Sequence, residues 1–424
     1  MRAAALMVAG AALSLAAHGP QRLTLREAEG IAIAHHPQAR AARLTAGAAA
    51  EVPTEYRAAY FPAVTANLTG AAAINNSRIA AGALNNPLVY DRFASGITIS
   101  QMLTDLGRTS NLVASARLHA KAEQSVSQAT RDQVVLEVDR TFYTLLRAQA
   151  LLRVARETVE ARQLVTDQVR TLAESKLKSN LDVSFANVNL SEARLPLANA
   201  RSGVEAARTE FATALGDASP RAFDLVEEPL VGAVPEDGDG LVKQALGARP
   251  ELAGLRAEAE AAARFAQAER ALQYPTVNAL VTSGYTPAAQ SPLQDRWAAA
   301  GVNISIPLFN GKLYSARHRE AQYKAEAAVQ KVRDLENRIA RDVRVAWLDA
   351  RTAYERLDLT RQLLEQARMA YDLAQGRYEL GLGSIVELSQ AQLNRTSAEI
   401  AGVSAVYEYR LQRAVLDYQV GVTR

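Results

Sequence analysis

Two short runs decide how the rest of the chain is read: Gly96-Ile97-Thr98-Ile99-Ser100 and Gly301-Val302-Asn303-Ile304-Ser305, matched position for position at an offset of 205 residues. In each, apolar residues alternate with polar ones, the period of a strand whose two faces meet different surroundings. Such a pair inside one chain of 424 residues says that the fold is built twice.

The match continues upstream. His36-Pro37 and Tyr60-Phe61-Pro62-Ala63-Val64 in the first copy correspond to Arg249-Pro250 and Gln273-Tyr274-Pro275-Thr276-Val277 in the second. The prolines are 25 residues apart in both (62 − 37 and 275 − 250). The Ala-rich segments between them have a helical pattern, and Pro53 is predicted to kink or split the first. After each aromatic-Pro step, alternation begins. Val64, Ala66 and Leu68 oppose Thr65, Asn67 and Thr69; Val277, Ala279 and Val281 oppose Asn278, Leu280 and Thr282. Val302, Ile304, Ile306 and Leu308 oppose Asn303, Ser305 and Pro307. Strands are expected over about 61–72, 92–104, 274–286 and 298–309.

Downstream, Asp105-Leu106-Gly107-Arg108 and the one-residue-shorter Asn310-Gly311-Lys312 are turn signals. Then apolar residues recur every seventh position: Val138, Leu145, Leu152 and Val159, with Val343, Ala350, Leu357 and Leu364 at the same offset. Val183, Leu190, Leu197, Val204 and Phe211 continue the spacing, which is a coiled-coil seam. A helix from 109 to 174 would measure roughly 100 Å, too long for a single globule. Pro196 is predicted to kink its helix. Each copy thus reads as helix, strand hairpin, long helix, tip turn and long returning helix. The first copy spans 18–215 and the second 241–424, and a Pro-, Gly- and acid-containing connector fills 216–240.

Composition narrows the function classes. A net charge of +3, with basic and acidic residues interspersed, excludes a nucleic-acid partner. With no cysteine there is no disulfide, thiol nucleophile or lipidated N-terminal Cys. Met1-Arg2, an apolar run to Leu15 and Ser14-x-Ala16 form a secretory leader, expected over 1–17. No later segment has the ~20 apolar residues of a transmembrane helix, so membrane crossing would fall to the strands. Small apolar residues on one face with Thr, Ser and Asn on the other suit a barrel between lipid and water; a half-buried sheet on a soluble core gives the same alternation. Four strands cannot close, and open edges are not tolerated in lipid, so the membrane reading requires oligomerisation; three chains give twelve strands. The hairpin loops, about 71–90 and 285–295, would then face outside. No metal, cofactor or catalytic site is legible. His35-His36 has no carboxylate or further His at ligand spacing, and Gly381-x-Gly383 lacks the strand and third glycine of a phosphate loop.

The most specific stretch is Gly376-Arg377-Tyr378-Glu379-Leu380-Gly381-Leu382-Gly383-Ser384-Ile385-Val386-Glu387-Leu388 with Ala391. With the repeat and the strand–helix order, it resembles the TolC-type outer-membrane factor family over essentially the whole mature chain. The resemblance implies a mainly α protein with membrane β-structure, a homotrimer forming a twelve-stranded outer-membrane barrel and a periplasmic α-helical barrel. It implies passive export of small toxic compounds, drugs or metals, with no chemistry. It implies outer-membrane lipid, a periplasmic adaptor and an inner-membrane pump of RND or ABC type as partners. Carried onto this sequence, Glu387 and Asp182 are lumen acids at the constriction, with Gln390 one turn on where a further acid can occur. Tyr378 matches a tyrosine whose hydroxyl helps hold the closed state. Gly381, Leu382, Gly383 and Ser384, with Lys176, Lys178 and Ser179 at the first tip, are the expected adaptor contacts. Lys176 and Lys178 depart from the glycines of the second tip. The bland alternative for Asp182 and Glu387 is a helix N-terminal acid, worth ~0.3–1 kcal/mol. The same architecture serves an exit duct for protein secretion. A periplasmic coiled-coil adaptor would instead show a compact β-rich domain and a single helical hairpin.

Overall fold

The structure is a computed structural model that describes residues 21–71, 77–78, 88–89, 92–219, 223–230, 232–287 and 294–422. The expected leader and most of both hairpin loops lie outside these residues.

The first copy runs β1 (Gln21–Leu23), α1 (Leu25–His35), α2 (Pro37–Arg57), β2 (Ala63–Ala71), β3 (Ser77–Arg78), β4 (Leu88–Val89), β5 (Arg92–Thr104), α3 (Arg108–Glu174) and α4 (Asn180–Ala214). After β6 (Phe223–Leu225) the second copy runs α5 (Gly238–Ala248), α6 (Pro250–Ala271), β7 (Thr276–Tyr285), β8 (Arg296–Ser305), α7 (Leu313–Glu379) and α8 (Ile385–Val420). Helices α3 and α7 are each 67 residues long, and α4 and α8 are 35 and 36.

The matched prolines mark helix starts. His36 and Arg249, each before a proline, have ψ of 124° and 121°, so α1 and α5 stop there and α2 and α6 begin at the proline. Pro53 does not split α2, which continues to Arg57 before a 3₁₀ turn at Ala58–Tyr60. One missing N–H costs one helical bond, and the buried pyrrolidine ring offsets part of that loss. Likewise α4 runs unbroken through Pro196.

The chain divides into two compact units that cut across both copies. The first holds Met1–Ala39, Arg131–Asp239 and Val343–Arg424, described from Gln21 onward. Its core centres on Val138, Phe142, Leu145, Val204 and Phe211, all seam positions or their neighbours. The Phe142 and Phe211 rings meet edge-on at 5.9 Å. A short parallel pair, β1 with β6, closes this core over Leu23 and Leu225. Neither strand is legible in the sequence, because three residues carry no measurable period.

The second unit holds Arg40–Thr130 and Gly240–Asp342. Its sheet is antiparallel throughout, in the order β2-β5-β7-β8. The register puts Val64, Ile99, Val281 and Ala300 in one row and Ala66, Ile97, Ser283 and Ala298 in another. Thr65, Thr98, Thr282 and Ala299 form a row on the opposite face. Both hairpins therefore turn their apolar sets to the same side. β8 ends at Ser305, where alternation alone carried the expectation to 309: Pro307 has no N–H for the ladder.

Candidate functional site

Among the described residues, none covers the apolar face of the sheet. Val64, Leu68, Val302 and Ile304 are 60–78% exposed, and all ten residues of β8 are open. A fully buried Val, Leu or Ile contributes about 1.5–3 kcal/mol, so a soluble sheet with this face in water would forgo that gain at each position. The two outer edges, one on β2 and one on β8, have no partner strand among the described residues. An apolar outer face with open edges is the geometry of an incomplete membrane barrel.

The polar face also carries an indole, that of Trp297. Trp297 pairs with Gly284, which pairs with Gly96. A Cβ on Gly284 would come within 2.5 Å of the indole, and one on Gly96 within 3.3 Å. The two glycines leave a slot in which the ring lies flat across two strands, and Trp297 Nε1 donates to Thr286 Oγ1 at 3.2 Å.

The tip turns lie in the first unit. At the second, Gly381 N–H donates to Tyr378 O at 3.1 Å, and Leu382 and Gly383 N–H donate to Arg377 O at 2.8 and 3.0 Å. At the first, Lys176 N–H donates to Ala173 O at 2.9 Å, and Leu177 and Lys178 N–H donate to Leu172 O at 2.8 and 3.3 Å. Every bond matches at the 205-residue offset, so the two backbones make one turn. Its second residue is left-handed, φ +73° at Gly381 and +60° at Lys176. Glycine takes that conformation without strain; lysine does not. The lysines of the first tip change the side chains it presents and leave the turn intact.

The returning helices start alike and use their acids differently. Ser179 and Ser384 are N-caps whose hydroxyls accept from the N–H of Asp182 and Glu387, both at 3.2 Å. Asp182 completes a capping box: its Oδ2 accepts from Ser179 N–H at 3.0 Å and from Ser179 Oγ at 2.9 Å. Glu387 makes no such return contact and pairs with Arg377 across the turn, Nε to Oε1 at 3.1 Å. A Cβ on Gly383 would stand 3.2 Å from Arg377 Cβ and 3.3 Å from Glu387 Oε2, so this pair closes over a glycine.

Tyr378 is buried with Val169, Ala186, Ile385 and Leu388, a small core drawn from α3, α4, α7 and α8. Its hydroxyl is enclosed without a hydrogen-bond partner. Burial, then the Asp182 charge, push its pKa above the usual tyrosine value. Lys178 Nζ stands 3.9 Å from its ring centroid. The structure thus brings Tyr378, Lys178 and Asp182 together and sets Glu387 against Arg377. Gln390 lies apart, exposed, its amide donating to Asn394 Oδ1 at 3.0 Å. Arg377 is the site residue that sequence reasoning passed over, because its partner lies ten positions on across a turn.

The connector is anchored by side chains that no motif announced. Trp347 Nε1 donates to Pro235 O at 2.8 Å, and Arg344 pairs with Asp239 at 3.0 Å. Tyr407 donates to Glu227 at 3.1 Å while Arg410 pairs with the same carboxylate at 3.3 Å. Burial and the Glu227 carboxylate push the Tyr407 phenol up to about 12.

The family model described as outer membrane efflux protein matches residues 30–217 and 241–421, nearly the two sequence copies. Protein CyaE of Bordetella pertussis is 28% identical over 387 residues, 89% of this chain and 79% of that protein. Pyoverdine export outer membrane protein OpmQ of Pseudomonas aeruginosa is 26% identical over 344 residues, 78% of this chain and 69% of that one. Among solved structures, the outer-membrane channel OprN superposes with a TM-score of 0.80 at 21% identity, covering 94% of this chain and 90% of its own. The outer membrane protein VceC from Vibrio cholerae gives 0.80 at 20%, covering 94% and 96%.

Proposed function

The chain belongs to the outer membrane efflux protein family, and from that premise we propose that three copies join their four-stranded sheets, β2 of one to β8 of the next, into a twelve-stranded barrel. It is an outer-membrane efflux duct. The observation that carries the assembly is the sheet itself, with an uncovered apolar face, a polar opposite face and two open edges. Closure satisfies the edges, lipid covers the apolar rows, and the Thr and Asn rows line water.

The long helices extend the duct into the periplasm, where the tips meet an adaptor that couples the duct to an inner-membrane pump of RND or ABC type. Leu177 and Leu382, at equivalent turn positions, are 71% and 69% exposed. An apolar residue held outward by both turns supports a docking role there. Small toxic molecules are the proposed cargo, in keeping with relatives named for pyoverdine export and toluene efflux. The duct performs no chemistry. Its constriction is set by Glu387, paired with Arg377, with Asp182 and Tyr378 behind it; repeated about a threefold axis, each becomes a ring.

The test is fractionation and size. The mature protein is expected in the outer-membrane fraction and as a trimer in mild detergent. A monomer, or recovery from the soluble periplasm, would overturn the barrel assembly.

A further inference from the structure

We propose that Lys178 is a latch: its ammonium, seated on the ring face of Tyr378, ties the first tip to the second and sets how readily the periplasmic end of the duct opens. This rests on the gate reading above and adds the element that regulates it.

Lys178 is half-buried, whereas Lys176 two residues earlier is exposed. Holding a lysine down costs side-chain freedom and some hydration, so a compensating contact is needed. The ring supplies it, because 3.9 Å to the centroid is well within cation–π range.

The partners belong to different hairpins. Lys178 lies between α3 and α4, and Tyr378 lies in the last turns of α7. Around the contact the polar groups are already committed: Asp182 to the Ser179 cap, and Glu387 to Arg377. The Tyr378 hydroxyl has no hydrogen-bond partner. What Tyr378 offers the first tip is therefore its ring face, not its hydroxyl. The contact occurs once per chain, because the residue equivalent to Lys178 is Gly383. Separating the two hairpins at their tips would lift the ammonium off the ring.

The test is the conductance of the full-length trimer in planar bilayers bathed in potassium chloride. Lys178→Gln is expected to raise occupancy of the high-conductance state by about two- to fivefold for each latch released. Lys178→Arg, which keeps the cation, should open the duct less than Lys178→Gln, and Tyr378→Phe, which keeps the ring, less than Tyr378→Leu. Tyr378→Leu should match Lys178→Gln, and the double variant should exceed neither. Wild-type behaviour of Lys178→Gln would overturn the latch. So would opening by Tyr378→Phe equal to that by Tyr378→Leu, which would assign the hold to the hydroxyl. A wild type that forms no channel breaks the duct reading instead, and the latch is then judged by hydrogen exchange over 172–185 and 376–388. Faster exchange in Lys178→Gln, absent in Lys178→Arg, supports it; equal exchange in all three proteins overturns it.

Discussion

The two tips share one backbone and divide the chemistry between them. Both turn through a left-handed residue, bond to the same carbonyl positions and enter the next helix at a serine cap. Yet the acid at the third helical position is spent on the cap at the first tip and on an arginine at the second. The first turn projects Lys178 toward its neighbour, and the second keeps Gly383 so that Arg377 and Glu387 can close over it. The two turns match in backbone while their side chains differ. The backbone turn is common to both tips, and the difference between them lies in what their side chains contact.

The largest effect expected from breaking this asymmetry is on ion selectivity. Arg377→Ala should leave Glu387 unpaired and raise cation over anion preference in reconstituted channels, whereas Glu387→Ala should shift it toward anions. Asp182→Asn should move selectivity little, since its carboxylate faces a cap. Reversal potentials in a salt gradient give the answer, and equal shifts for Asp182→Asn and Glu387→Ala would make the two acids equivalent after all.

Next come the turns. Gly383→Lys, which gives the second tip the side chain of the first, should force Arg377 and Glu387 apart and cost about 1–3 kcal/mol of local stability. Replacing the left-handed residue works in opposite directions at the two tips. Gly381→Ala should cost about 1–2 kcal/mol, and Lys176→Gly should gain a similar amount. Hydrogen exchange at each tip measures all three. The caps follow: Ser179→Ala should lose about 1 kcal/mol, more than Ser384→Ala, because only Ser179 exchanges bonds reciprocally with its acid. Equal losses would mean that the box adds nothing.

Much of this was legible beforehand, for physical reasons. Alternation fixes which strand residues share a face, and the pleat allows no other solution, so Val64, Ile97 and Val302 fall on one side as read. Heptads likewise placed Val138 and Phe211 in the core. Contacts made across a turn or between helices were not legible. Arg377 with Glu387, Lys178 with Tyr378 and Trp347 with Pro235 depend on how helices dock, and no local period encodes docking. Lys176 is the converse case, left-handed at φ +60° where the second tip has Gly381. A lysine argues against a left-handed turn, but the neighbouring bonds hold the backbone there regardless.

The smallest predicted effect separates the tips by titration. The first tip has Ala173 where the second has Tyr378, so only the second carries a buried phenol. Burial and then the Asp182 charge raise its pKa above the usual value of about 10. The sign follows from linkage: the folded tip holds the proton more tightly than the unfolded chain, so this share of stability is complete below about pH 10 and drains away as the pH climbs from there through the raised folded value. Subtracting the phenolate absorbance of Tyr378→Phe from that of wild type isolates this one hydroxyl among the tyrosines. Its midpoint is expected above the ordinary value. A midpoint at the ordinary value would place the ring in water, and would remove with it the enclosed face on which Lys178 rests.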